Sequence, residues 1–385
     1  MTKPVKIEDY RVLAKRRLPK MVFDYLDGGA EDETGLTHNR AVFGSWRFQP
    51  KRLTDVSKRD LSTTLWGQSY PLPFLIGPTG LNGLLRPQGD AILARCAARE
   101  GVPFVLSTAS TQSIEEVSRS SDGEKWFQLY VMRRDLALDL TRRALAADYT
   151  TLVLTVDVPV NGWRERDMRN GFGLPMRYTA KTLLDGATHP RWSLDLLRNG
   201  MPQLANFVSG RAVSSEAQAA LMRREMDASF DWEALAQLRA VWPKRLLVKG
   251  VLSPEDAARC IAEGADGVIL SNHGARQLDG CLSPMETLKG VRNATLETVL
   301  VDSGFRRGSD VVKALCLGAN AVLLGRATLF GLAAAGEQGV LDVISLVRQE
   351  IDRTLALIGV SSVADLSSEL LVRHIHEEAL QHDAV

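Results

Sequence analysis

The chain has 385 residues, 45% of them hydrophobic and 24% charged, with 47 basic side chains against 46 acidic ones and a formal net charge of +1. This balance suits a globular protein with a large core and does not indicate disorder; nothing in it favours nucleic acid, where a strongly basic face is expected, which makes a small molecule the expected partner. Cys96, Cys260, Cys281 and Cys316 show no C-x-x-C pair or zinc spacing, the N-terminus has no secretory signal and no apolar run reaches 18 residues, so reduced thiols, no metal and a cytoplasmic chain that spans no membrane are expected.

From about Lys6 to Trp46 the residues read as short helices. IEDYRVLAKRRL carries apolar residues at helical spacing, Pro19 starts a second helix, PKMVFDYLDGG, and Gly28-Gly29 stops it, giving a cap ahead of the main domain. Tyr25 lies near the end of that helix, where pattern alone makes it a half-buried aromatic. From Leu72 onward the apolar runs LPFLIGP, VPFVLST, KWFQLYV, TLVLTVDV, RLLVKGV, GVILSNH, ETVLVDS and AVLLGR alternate with helical stretches such as GDAILARCAAREG, DLALDLTRRALAADY and GSDVVKALCLGA. Eight repeats of strand and helix predict an α/β fold, a (β/α)8 TIM barrel. An open doubly wound sheet would want a G-x-G-x-x-G turn after an early strand, and there is none. The chain reads as one domain over 1–385, with the barrel at about 72–335.

More than eighty residues separate the fourth run, ending near Val158, from the fifth, starting near Arg245. Barrel connections are rarely so long, and an insertion at about 177–228 on the active-site face is expected. Between Arg177 and Arg211 five Lys or Arg stand against two acidic residues, interleaved with Trp192, Leu194, Leu196, Leu197, Met201, Leu204 and Phe207. Such a composition describes a segment lying in a membrane interface, and equally a lid or a subunit contact.

In a barrel, chemistry is assembled where the strands end. Here those ends are polar: Pro78-Thr79-Gly80 after the first run, Ser107 after the second, Gln128 and Tyr130 in the third, Thr155 and Asp157 in the fourth with Arg164 beyond, and Lys249 in the fifth. The sixth, in GVILSNHGARQLDG, gives Ser271, then a titratable His273 and, three residues on, Arg276, a planar cation suited to a carboxylate. The seventh and eighth give DSGFRRG, with Asp302, Ser303, Gly304, Phe305 and Arg306, and Gly325-Arg326. Glycines and arginines in the last two loops fit the phosphate site that barrels often build there, so a phosphorylated cofactor is expected. Lys249 would be costly to bury without an anionic partner.

SNHGARQLD, PTG, FQLYV, TVDVPVNGWRERD, LLVKG, DSGFRRGSDVVKALCLGA and LLGR together resemble the FMN-dependent α-hydroxy acid oxidising family, which includes glycolate oxidase and lactate oxidase, and the likeness covers nearly the whole chain. The resemblance implies roles residue by residue. His273 matches the active-site base, Asp157 its orienting partner, Arg276 and Arg164 the substrate-carboxylate pair, and Tyr25 and Tyr130 the substrate-facing phenols. Pro78, Thr79, Gly80, Ser107, Gln128, Thr155, Lys249, Ser271, Asp302 through Arg306, Gly325 and Arg326 match FMN-binding positions. The implied reaction is oxidation of an (S)-2-hydroxy acid to a 2-oxo acid, with electrons passed to a membrane quinone-type acceptor by a homotetramer peripherally bound at the cytoplasmic side of the inner membrane. His273 takes a proton whether the reaction proceeds by hydride transfer or through a carbanion.

Two departures refine this expectation. Ala109 stands where short-chain members carry Trp, which leaves room for an aryl substituent and favours (S)-mandelate, giving benzoylformate, over glycolate. Gly80 stands where many members carry Ala beside the flavin, an exchange expected to favour an organic acceptor over O2. An (S)-lactate dehydrogenase, or an oxidase using O2, is the alternative on this scaffold; an FMN isomerase would need no paired arginines, and a silent flavin binder would be expected to have lost His273, Asp157 or an arginine.

Overall fold

The computed structural model describes residues 3–173, 179–207 and 226–374. Its centre is a closed barrel of parallel strands, β1 (Phe74–Ile76), β2 (Phe104–Ser107), β3 (Lys125–Leu129), β4 (Thr151–Thr155), β5 (Arg245–Val251), β6 (Gly267–Leu270), β7 (Thr298–Val301) and β8 (Ala321–Leu324), with β8 returning to pair with β1. Each strand lies in one of the apolar runs read from the sequence. The run signal works because such strands are covered on both faces, by helices outside and by other strands' side chains inside.

Strand periodicity then places the site. Leu75, Val105, Trp126, Val153, Leu247, Ile269, Leu300 and Leu323 form one apolar cluster inside the barrel, while alternate residues such as Phe104, Leu106, Leu152, Leu154, Val299 and Val301 belong to the outer core beneath the helices. Side chains two residues apart share a face of a strand. One step beyond the inner apolar layer therefore come Ser107, Gln128, Thr155, Lys249, Ser271, Asp302 and Gly325, so the polar ring is the next storey of the barrel interior. Below, the hairpin Thr63–Leu65 and Gln68–Tyr70 closes the other end, with Leu65 and Tyr70 in the inner cluster and a two-residue turn, Trp66-Gly67, at positive φ.

The predicted cap forms as helices Ile7–Arg17, Lys20–Asp27 and Thr34–Ala41. Its first helix buries Ile7, Tyr10 and Ala14 and packs on the long C-terminal helix Arg326–Ile358, with the Tyr10 hydroxyl donating to Asp342 at 2.7 Å. That long helix kinks at Ala335 and Gly336 and is apolar and long enough to cross a membrane, yet it is largely buried in the protein core.

In the insertion, helices Ala180–Thr188 and Pro190–Asn199 and a 3-10 turn Ala205–Phe207 are described; residues 174–178 and 208–225 lie outside the described residues. The reading of Trp192 as an interfacial residue needs correction: it is 8% exposed and its indole N–H donates to the Leu84 carbonyl at 2.7 Å. Leu204 and Phe207 are buried as well, whereas Leu183, Leu184, Leu194 and Leu197 are exposed, Leu197 at 82%. Composition grouped Leu194 and Leu197 with Trp192, Leu204 and Phe207, and the fold divides them into an anchored face and a free one.

Candidate active site

A cavity of about 500 Å³ opens at the C-terminal ends of the strands. Of the residues singled out in the sequence, only Asp157 and Ser271 do not line it, and each stands behind one that does. His273 Nδ1 lies 2.9 Å from Asp157 Oδ1, and its Nε2 lies 3.1 Å from the Tyr130 hydroxyl. His273, Gly274 and Ala275 have φ between +57° and +64°, a left-handed turn that swings the imidazole back over the barrel mouth. Gly250 permits the approach of Asp157: it sits at a break in the β5–β6 register with φ +104°, and a Cβ there would come 2.6 Å from the Asp157 Cβ.

The electrostatics of this pair are set by burial. Desolvation pushes His273 down to about 4, against the pull of Asp157 and with help from nearby Lys249 and Arg164. Burial raises Asp157, but the neighbouring His273 and Lys249 outweigh it and hold the carboxyl below its ordinary range. Asp157 is therefore the anion and His273 the neutral base, with Nδ1–H donated to Asp157 and a lone pair on Nε2. Lys249 is buried, yet Asp302 at 2.9 Å and Asp157 outweigh the desolvation and keep it protonated; its Nζ also donates to Ser271 at 2.7 Å. Ser271 in turn accepts from the His273 backbone N–H at 2.9 Å, which ties the ammonium to the imidazole loop.

Facing the cap, the arrangement changes. Arg276 donates through Nη1 to the carbonyls of Tyr25 and Gly28, both at 2.8 Å, and leaves Nε and Nη2 without a protein partner among the described residues. Arg164, almost fully buried, donates to the Arg276 carbonyl at 3.0 Å and to Gln277 at 3.1 Å, which brings the two guanidinium groups to one wall. Arg326 donates to the carbonyls of Leu26, Gly28 and Gly274. Burial and then repulsion from Arg276 and Arg306 lower its pKa strongly; burial and then Arg40 bring Arg306 down to about 10.

These cations favour an anion. Arg306 Nε is buried with no hydrogen-bond partner, and a Cβ on Gly325 would meet nothing nearer than the Thr79 methyl at 4.0 Å, so the wall there is open backbone. A phosphate fits this corner, and the linked amide and hydroxyls Ser107–Gln128–Thr155, each step 2.9 Å, offer polar edges across the cavity for a planar heterocycle.

Sequence reasoning missed the aromatic and apolar part of the lining. Phe172 stacks on Tyr25 with ring centroids 4.4 Å apart and 13° between planes, and Trp163, Met168 and Met226 complete that side. Phe172 and Trp163 bracket Arg164 in the chain, a spacing that could have marked them. Ala109 lines the same cavity.

Known proteins carry the same pattern. The family model described as FMN-dependent dehydrogenase matches residues 14–373. An (S)-mandelate dehydrogenase from Pseudomonas putida is 63% identical over 365 residues, covering 95% of this chain and 93% of that protein. An L-lactate dehydrogenase from Pectobacterium atrosepticum is 41% identical over 371 residues, 95% and 96% of the two chains. A crystal structure of the monotopic membrane protein (S)-mandelate dehydrogenase superposes with a TM-score of 0.94 at 62% identity, covering 97% of this chain and all of that one. On the extent of that match and the agreement of fold and cavity, this chain belongs to the FMN-dependent dehydrogenase family.

Proposed function

We propose that the protein oxidises (S)-mandelate to benzoylformate. The observation that carries this reading is a neutral His273 whose Nε2 borders a cavity that also holds two arginines and a wide apolar side. Arg276 and Arg164 bind the carboxylate of a 2-hydroxy acid, and that bidentate grip orients the α-carbon. Tyr130, in contact with Nε2, and Tyr25 donate to the substrate's oxygens. Nε2 of His273 takes the proton released at the alcohol centre, and Asp157 stabilises the resulting imidazolium through Nδ1–H. FMN, when bound, accepts the two electrons that leave the substrate. Arg306, Arg326, Gly304 and Gly325 would hold its phosphate, with Pro78, Thr79, Gly80, Ser107, Gln128, Thr155, Lys249, Asp302, Ser303 and Phe305 around the rest and Ser271 supporting Lys249. The aryl ring of the substrate takes the space beside Ala109, Phe172 and Met226.

The similarity to a monotopic membrane protein supports peripheral membrane association, and the exposed Leu183, Leu184, Leu194 and Leu197 beside Arg191 and Arg198 supply a surface of suitable composition. A quinone acceptor, the cytoplasmic leaflet and a homotetramer complete the reading. Flotation with anionic vesicles tests the first step: Leu194→Glu with Leu197→Glu should leave the protein unbound. Anaerobic mixing with (S)-mandelate, (R)-mandelate and (S)-lactate tests the chemistry. Bleaching of the flavin by (S)-mandelate is expected; bleaching by lactate alone would move the substrate to the lactate alternative, and no bleaching by any acid would remove the dehydrogenase reading.

A further inference from the structure

Asp90 is a fully buried carboxylate that the chemistry above does not use. It sits in the first turn of the helix Gly89–Arg99 and does not line the cavity. One oxygen accepts from the Asn82 side-chain amide at 2.8 Å; the other accepts from the Thr111 backbone N–H at 3.1 Å and from its hydroxyl at 2.9 Å. Both partners lead to the cavity. Asn82 exchanges hydrogen bonds with Thr79, accepting from its hydroxyl and donating to its carbonyl, while the Thr111 hydroxyl accepts from the Gly83 N–H at 2.9 Å. Between them the Leu81 N–H donates to the Ala109 carbonyl at 2.9 Å, and Leu81 is held at φ +59°.

We propose that Asp90 is a positioning residue for the reaction: by holding Asn82 and Thr111 together it sets the separation of two cavity walls, Thr79-Gly80 after β1 and Ala109 after β2. The fit is close. A Cβ on Gly80 would lie 2.9 Å from the Ala109 Cβ, and one on Gly89 would lie 2.6 Å from the Asn82 carbonyl oxygen, so neither segment can shift toward the other. Burial pushes the Asp90 carboxyl up to about 6, and the hydrogen bonds from Thr111 and Asn82 act against this; the helix N-terminus favours the ionised form as well. An acid that accepts only, in contact with three donors, keeps one arrangement of both loops. The inference rests on the function proposed above, because the walls concerned are those assigned to FMN and to the substrate's aryl ring.

The test compares wild type, Asp90→Asn, Thr111→Val and Thr111→Ser as holoenzymes. The readouts are the affinity of the oxidised flavin for sulfite, a binding measurement independent of turnover, and the ratio of kcat/KM for (S)-mandelate and (S)-lactate. Asp90→Asn and Thr111→Val should each move both by roughly tenfold, the scale of a lost hydrogen bond to an ionised group, while Thr111→Ser, which keeps the hydroxyl, stays within about twofold of wild type. Variants that lose thermal stability but keep the wild-type sulfite affinity and substrate ratio would overturn the proposal and leave Asp90 a support of the fold. If Asp90→Asn does not fold, Thr111→Val decides. A wild type inert toward (S)-mandelate would reject the proposed function, yet the sulfite comparison would still judge Asp90.

Discussion

On one side of the cavity His273 meets Asp157 and Lys249 meets Asp302, whereas on the side facing the cap Arg276, Arg306 and Arg326 donate to backbone carbonyls and to no carboxylate among the described residues. The first side is paired, His273 with Asp157 and Lys249 with Asp302, although Asp157 Oδ2 is buried with no hydrogen-bond partner, and these contacts set its protonation states before any ligand arrives. The second side holds positive charge in a desolvated corner, where burial lowers the pKa of Arg306 and Arg326, and an entering anion offsets that desolvation. On the proposed function, the first side reacts and the second binds. Substitutions should separate these tasks.

The largest effect is expected on the paired side. His273→Gln should lower kcat by about 10²- to 10⁴-fold, the contribution of a positioned general base, with FMN content unchanged. Flavin loss in that variant would break the division. Arg276→Met should cost about 2–5 kcal/mol in kcat/KM, the range for truncating one partner of a buried charge pair. Substrates lacking the carboxylate should feel almost none of it, which steady-state kinetics with mandelamide would check.

Arg306→Met should weaken FMN binding by about 1.5–3 kcal/mol while the apoprotein unfolds at an unchanged or higher temperature, because the guanidinium is under strain without its anion. A fall in apoprotein stability would show that the corner is balanced without a ligand. The smallest effect concerns pH. His273 binds its proton near 6.5 when unfolded and near 4 when folded, so between those values the unfolded state holds more protons and this residue's contribution to stability climbs with pH, then stays constant above about 6.5. Correspondingly, the part of kcat/KM that follows His273 should rise with pH around 4, apart from any step near 6 that belongs to Asp90. A rise centred near 6.5 that persists in Asp90→Asn would mean that His273 is not desolvated in the working enzyme.

The barrel was legible because apolar runs of strand length, punctuated by capped helices, have one economical closed arrangement. Polar residues at the run ends could be assigned to the mouth by counting in twos from the apolar positions, and only Asp157 and Ser271 proved to stand one layer back. Other features left no comparable trace. The strands of the hairpin at Trp66-Gly67, and the pairing of Trp46–Phe48 with Leu371–Arg373, are three residues long, too short for a period to register. Phe172 depends on Tyr25, a contact across the fold that no local pattern encodes. Trp192 was misread because composition reports which residues are apolar and says nothing about which of two surfaces they meet.

The bonds from Arg276 and Arg326 to the carbonyls of Tyr25, Leu26 and Gly28 also impose an order on the life of the molecule. Gly28 and Arg326 stand 298 residues apart in the chain, so the cap can be fastened over the mouth only once the barrel between them has formed.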